Sequence, residues 1–369
     1  MNRRSFLALS GCAAMAASAG EATRPPAPKI GEDGLAWTDV QAAGWGVEGK
    51  GWAETERYFD RLPAKAKGKV RPPVWGLSRH SAGMCVRFET EATAITAKWS
   101  LLSKNLAMNH MPATGVSGLD LYAQDAQGRW RWVAVGRPGG QTNKARLIAG
   151  IPAGRRTWML YLPLYNGTES LEIGVKPGTY LRPLPARPKP IVFYGTSIMQ
   201  GGCASRPAMV HSAILGRRLD RPTLNLGFSG NGTMDPELAE LMGELDACCY
   251  VIDCLPNMAA DAVAQRTEPL VRILRKARPA VPIVLVEDRT YQNAWLSPGH
   301  RRRNDTSRAA LRKAYDRLVA AGVKDLHYVE GETLFGDDGE ATVDGSHATD
   351  LGFMRQADAL EPLLRKLLL

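Results

Sequence analysis

Hydrophobic and polar positions follow two different rhythms along the chain. Across about residues 31–184, short apolar segments at 86–88, 95–99, 118–122, 130–135, 157–162 and 171–175 are rich in β-branched and aromatic residues. Gly, Pro, Asn and Asp separate them. Helical periodicity is scarce there. This pattern predicts an antiparallel β-sandwich of jelly-roll type.

From residue 190 onward the rhythm changes. Continuous apolar runs at 191–194, 223–228, 249–253, 283–287 and 326–329 read as strands buried on both faces. They alternate with helical stretches at 208–219, 236–245, 260–276, 308–321 and 351–367. Five strands separated by helices predict a right-handed, doubly wound parallel sheet, an α/β fold with strand order 2-1-3-4-5. Between the halves, Arg182-Pro183-Leu184-Pro185-Ala186-Arg187-Pro188-Lys189-Pro190 contains the linker, residues 185–190. Its alternate prolines favour an extended, semi-rigid path that holds the sandwich against the second domain.

The parallel sheet decides where chemistry is sought, because ligands of such sheets lie beyond the carboxyl ends of the strands. Gly195-Thr196-Ser197 follows the first apolar run and presents Ser197 there. A serine hydroxyl is a poor nucleophile at neutral pH, so it needs a base and an oxyanion site. Asp344-Gly345-Ser346-His347 precedes the last helix and puts a carboxylate three residues before an imidazole. In a tight turn the Asp holds one ring nitrogen while the other faces the serine. Asn225-Leu226-Gly227-Phe228-Ser229-Gly230 and Asp253-Cys254-Leu255-Pro256-Asn257 leave the second and third strands at the same edge. They offer a glycine N–H and an Asn amide to an oxyanion.

Ser, Gly, Asn and D-x-x-H in this order resemble the SGNH (GDSL-type) hydrolases over roughly residue 190 to the C-terminus. The usual G-D-S reads Gly195-Thr196-Ser197 here, and the usual G-x-N-D block is reduced to Leu255-Pro256-Asn257. Gly118-Leu119-Asp120-Leu121-Tyr122 is similar to the G-x-D-L-Y signature of a domain that precedes such hydrolases, and the pairing resembles two-domain bacterial carbohydrate esterases. The resemblance implies Ser197, Asp344 and His347 as catalytic residues, with Ser197, Gly230 and Asn257 forming the oxyanion hole. It implies no metal or cofactor. The expected reaction is hydrolysis of acetyl or other short acyl esters on carbohydrates through an acyl-serine. A lipase or thioesterase-like hydrolase and a non-catalytic carbohydrate-binding protein are the alternatives. No G-x-S-x-G elbow is present, which sets the chain apart from the α/β-hydrolases.

The remaining composition refines this picture. Arg3-Arg4 and the Ala-rich stretch to Ala19 resemble a twin-arginine export signal cleaved before Gly20, and Leu9-Ser10-Gly11-Cys12 offers a competing lipobox. Export to a bacterial periplasm is expected, with no transmembrane segment in the mature protein. The net charge of +10 becomes +8 without Arg3 and Arg4, and its scattered basic residues carry no nucleic-acid-binding motif. Cys203 and Cys254 are placed in loops of the catalytic edge, where a disulfide and two buried thiols are equal expectations. Most tryptophans of the first half belong in the sandwich core, and His110 reads as an ordinary loop histidine ahead of a residue bordering the active site, the two readings its long unpatterned stretch allows. Arg206 and Arg289 are placed in edge loops as substrate-binding residues or structural clamps.

Overall fold

A computed structural model describes residues 27–368. The export-signal segment therefore lies outside the described residues.

The first half is a sandwich of two antiparallel sheets. One runs in the order Lys29–Ile30, Ala36–Asp39, Thr168–Val175, Ala94–Leu101 and Thr142–Ala149. The other runs Leu181–Pro183, Cys85–Thr90, Arg156–Tyr161, Leu119–Gln124 and Trp130–Gly136, with Val47–Glu48 also paired to Cys85–Thr90. Alternating residues of both sheets meet in one core, Ile95, Trp99, Leu171 and Ile173 against Val86, Phe88, Leu121 and Leu160. Strand Thr142–Ala149 was not predicted. It lies at the sheet edge and carries Lys144 and Arg146, so its sequence lacks an apolar run.

The second half has the predicted parallel sheet, in order 2-1-3-4-5 for Ile191–Gly195, Thr223–Gly227, Cys249–Asp253, Ile283–Val286 and Leu326–Val329. Side chains alternate between its faces. Phe193, Val251 and Val284 pack under helices His211–Arg218 and Asp350–Leu368, whereas Tyr194, Leu226, Ile252 and Leu285 face Pro236–Gly243, Ala260–Ala277 and Pro298–Ala320. Pro298–Ala320 begins ten residues before the expected start. Arg301-Arg302-Arg303-Asn304-Asp305 shows no apolar periodicity, but Pro298 at the first turn and the Ser297 cap, which accepts the His300 N–H at 3.4 Å, start the helix there.

The two domains share their cores. Tyr122, Met159 and Tyr161 on the outer face of the second sandwich sheet pack with Ala208, Ala213 and Ile214. Residues 62–74, including part of helix Pro72–Ser78, leave the sandwich and cover the opposite face of the parallel sheet, where Leu62, Val70 and Val74 touch the Tyr194 and Leu226 cluster. This Pro- and Lys-rich stretch has no strand alternation, and the hydrolase sheet supplies the apolar surface it needs. The linker is pinned by an ion-pair network. Arg187 gives its Nη2 and Nε to buried Glu48 at 2.9 Å each and reaches Asp220 with Nη1. Among the described residues no helix is long and apolar enough to cross a membrane.

The G-x-D-L-Y residues form a latch between the domains. Asp120 is fully buried and accepts from Arg206 Nη1 at 2.8 Å, Ala208 N at 2.9 Å and Trp132 Nε1 at 3.0 Å. Tyr122 Oη accepts a second bond from Arg206 at 2.7 Å. Arg206 is thus a clamp and not a substrate residue. Asp120→Ala leaves the Arg206 charge without its carboxylate and the Ala208 and Trp132 N–H groups without their acceptor. A loss of about 3 kcal/mol is expected, read as a lower thermal midpoint.

Candidate active site

The register of the sheet brings the candidate loops together. Gly195 pairs with both Gly227 and Asp253, so the first three strands end level with one another. Ser197 then opens the short helix Ser197–Gln200, for which Thr196 is the cap, its Oγ1 accepting from Ile198 N at 3.3 Å. The Ser197 carbonyl accepts from Gly201 N at 3.0 Å, Gly202 N at 2.8 Å and Tyr165 Oη at 3.0 Å. Four residues after Asp253, Asn257 ends the turn Leu255–Asn257.

His347 sits on a tight hairpin, with Thr342 bridged to Ala348 and Val343 N donating to His347 O at 2.8 Å. Asp344 Oδ1 accepts from the N–H groups of Ser346 at 3.1 Å and His347 at 2.8 Å, which folds the D-x-x-H spacing into a turn. Gly345 makes this possible with φ of 93°. The segment leaving the fourth strand fixes the hairpin from outside, because Gln292 N donates to Gly345 O at 3.0 Å.

Ser197 Oγ lies 2.8 Å from His347 Nε2, and His347 Nδ1 lies 2.7 Å from Asp344 Oδ2. The structure therefore brings together Ser197, His347 and Asp344 in one hydrogen-bonded chain. Ser197 is 7% exposed, so it is largely shielded from solvent. Partial burial pushes the Asp344 carboxyl up, but the His347 N–H, the imidazole and the Ser346 N–H outweigh it and hold the group below the usual carboxylate range. The acid therefore stays ionised at neutral pH, as an orienting carboxylate must.

The oxyanion candidates leave the same edge of the sheet as Ser197. No acceptor among the described residues takes the N–H of Ser197 or Gly230. Asn257 Oδ1 accepts from Gly232 N at 3.1 Å, and since that N–H can only donate, the Asn257 NH₂ is turned the other way, with donors to spare. Asn257→Ala should lower kcat for ester hydrolysis by 10²- to 10³-fold, roughly the worth of one preorganised donor, with KM little changed.

A buried polar chain that sequence reasoning missed supports this loop. Gln200, one helical turn after Ser197, is fully buried; its Oε1 accepts from Ser229 N at 3.0 Å, and its Nε2 donates to His80 Nδ1 at 3.0 Å and Leu164 O at 3.1 Å. A glutamine inside the apolar run Ile198-Met199-Gln200 was the available signal. Arg61, also fully buried, gives Nη1 to the carbonyls of Asn225 at 3.0 Å and Gly227 at 2.7 Å, just before the Gly230 turn. Gly202 keeps room for the approach of both domains, because a Cβ there would meet Tyr165 Oη at 3.0 Å and His347 Cδ2 at 3.4 Å.

Burial, assisted by the Arg61 charge, drives the His80 imidazole down to about 4. The unfolded chain takes up a proton near 6.5, whereas the folded one resists until about 4. Stability is therefore complete above about pH 6.5 and is lost as pH falls through this window. Up to about 3 kcal/mol is involved. Urea unfolding at pH 7 and pH 4.5 should show this loss, and His80→Gln should diminish it.

Arg289 lies elsewhere. It is 2% exposed, forms a bidentate pair with Asp253 and donates Nε to Gln356 Oε1 at 2.7 Å, so it ties the third strand to the last helix and is not free for substrate. Cys203 and Cys254 are buried free thiols. Burial, with the Asp344 charge, pushes the Cys203 thiol up to about 12, which leaves it un-ionised at neutral pH.

Comparisons with known proteins place both halves of the chain. Residues 188–365 match the GDSL-like lipase/acylhydrolase family, and residues 35–181 match the GxDLY N-terminus of SGNH-type esterases. A Bacteroides ovatus protein whose solved structure is described as GDSL-like lipase is 33% identical, with a TM-score of 0.85 over 90% of this chain and 98% of the other. This chain belongs to the GDSL-like lipase/acylhydrolase family. The fold alone is shared with the salicylyl-acyltransferase SsfX3 of a tetracycline biosynthetic pathway, at 17% identity and TM-score 0.73 over 90% and 98% of the two chains. It is also shared with a family two carbohydrate esterase from Clostridium thermocellum, solved with cellohexaose, at 15% identity and TM-score 0.55 over 77% and 92%. Among curated proteins none matches the chain in sequence.

Proposed function

We propose that this GDSL-family hydrolase is a serine esterase that removes acetyl or similarly short acyl groups from carbohydrate hydroxyls. The observation that carries the reading is the unbroken chain from Ser197 Oγ through His347 to Asp344, with links of 2.8 and 2.7 Å. His347 Nε2 takes the Ser197 proton as Oγ attacks the ester carbonyl, and the Ser197 and Gly230 N–H groups with the Asn257 amide receive the charge on the carbonyl oxygen. His347 then gives the proton to the leaving alcohol, and water activated by the same imidazole releases the acid from acyl-Ser197.

The carbohydrate part of this reading draws support from the sandwich domain at the site and from the shared fold with a carbohydrate esterase. The twin-arginine pattern at Arg3-Arg4 supports export, where polysaccharide fragments are found.

A chromogenic ester series from acetyl to long acyl chains tests it, with acetate release from acetylated xylo-oligosaccharides measured alongside. Turnover confined to short esters, with acetate released from the oligosaccharides, is expected. Faster turnover of long chains would move the substrate class to lipids. Sugar binding without turnover of any ester would favour a binding protein.

A further inference from the structure

The sandwich domain places a second histidine beside the catalytic one. Met108 N donates to Met111 O at 3.0 Å and Met111 N returns a bond to Met108 O at 3.2 Å, closing a turn with Asn109 and His110 at its tip. The turn is fixed to the loop that follows the nucleophile. Met111 is buried in the core shared with Ile198 and Ala204, and Thr114 Oγ1 donates to Ser205 O at 2.6 Å. Gly115 lies so close that a Cβ would come within 2.1 Å of Ala204 O.

This anchoring sets the His110 ring 5.9 Å from the His347 ring, centroid to centroid and edge-on. His110 Nδ1 is 2.7 Å from Asn109 Oδ1, which can only accept. The Nδ1 position therefore carries the proton in the neutral ring, and Nε2 keeps a lone pair. Half-buried His110 has no task in the steps described above.

The reaction defines what passes this ring. When the tetrahedral intermediate collapses, His347 must hand its proton to the ester's alcohol oxygen, so the alcohol lies beside the His347 imidazole, which His110 flanks. Resting on the esterase reading, we propose that His110 is a specificity-determining residue whose Nε2 accepts a hydrogen bond from a hydroxyl vicinal to the ester oxygen. It would select leaving alcohols that are polyols, as a sugar ring is, over simple alkanols. The recognition comes from the sandwich domain and the acyl transfer from the other.

The test compares two esters of equal size, 2-hydroxyethyl acetate and propyl acetate, with 4-nitrophenyl acetate as a control for the chemistry. Wild-type protein should favour the hydroxyl-bearing ester in kcat/KM by about 5- to 10-fold, the worth of one net hydrogen bond. His110→Phe keeps an aromatic edge against His347 but removes the acceptor. It should bring the ratio to about one and leave propyl acetate within about twofold. His110→Gln should restore part of the preference. A preference that survives in His110→Phe, or an equal loss on both alkyl esters, would overturn the inference. Hydrolysis of 4-nitrophenyl acetate by wild-type protein without discrimination between the alkyl esters would also overturn it and leave the esterase reading standing. No hydrolysis of any of the three would overturn both.

Discussion

Ser197→Ala should lower kcat for a chromogenic acetate by 10⁵- to 10⁶-fold, with KM nearly unchanged. The size of the effect follows from what is lost. Without Oγ, His347 Nε2 has no hydroxyl to deprotonate and no acyl-enzyme can form. The donors of Ser197 N, Gly230 N and Asn257 remain and account for the residual rate over water. The fold should not suffer, since the Ser197 backbone keeps its bonds from Gly201, Gly202 and Tyr165 and only one small polar atom leaves the site. Circular dichroism and the thermal midpoint of the variant should match those of wild type, so lost activity reports lost chemistry.

The next largest effect is expected at Asp344. Asp344→Asn should reduce kcat by 10³- to 10⁴-fold at neutral pH. The substituted side chain can still accept the Ser346 and His347 N–H groups through its oxygen, so the turn persists. Its NH₂ then faces His347 Nδ1, which must become the acceptor, and the imidazole proton moves to Nε2, where it points at Ser197 and blocks base catalysis. In wild type the carboxylate is held below its ordinary range, so Asp344 stays charged as the medium is acidified. The kcat/KM profile should therefore show no ionisation of Asp344 at mildly acidic to neutral pH. A rate-versus-pH series between pH 4 and 9 checks this, and an acid limb steeper than one proton would argue for a carboxylate that titrates in this range.

Much of this site was legible because local chemistry and fold topology agreed. An apolar run followed by Gly195-Thr196-Ser197 can only end at the carboxyl edge of a parallel strand, and the structure puts it there. The D-x-x-H spacing was a turn signal as well as a chemical one, since Asp344 uses one oxygen to build the turn and the other to meet the imidazole. The rest depended on contacts distant in sequence. Gln200 to His80 spans 120 residues and Asp120 to Arg206 spans 86, and neither partner carries a periodic pattern that announces the other. Arg289 illustrates the same point. Its place on a catalytic-edge loop was foreseeable, but the pairing with Asp253 that removes it from the cleft required the packed last helix. For His110, a place at the active-site border was one of two readings, and nothing local could decide between them because its turn docks against another domain.

The most direct measurement of the central claim is mass spectrometry of protein mixed with a chromogenic acetate and quenched in acid within the first turnovers. One acetyl group per chain is expected, on the peptide that carries Ser197, absent from Ser197→Ala and longer-lived in Asn257→Ala. Full turnover with no acetyl on Ser197, or equal rates in wild type and Ser197→Ala, would contradict it.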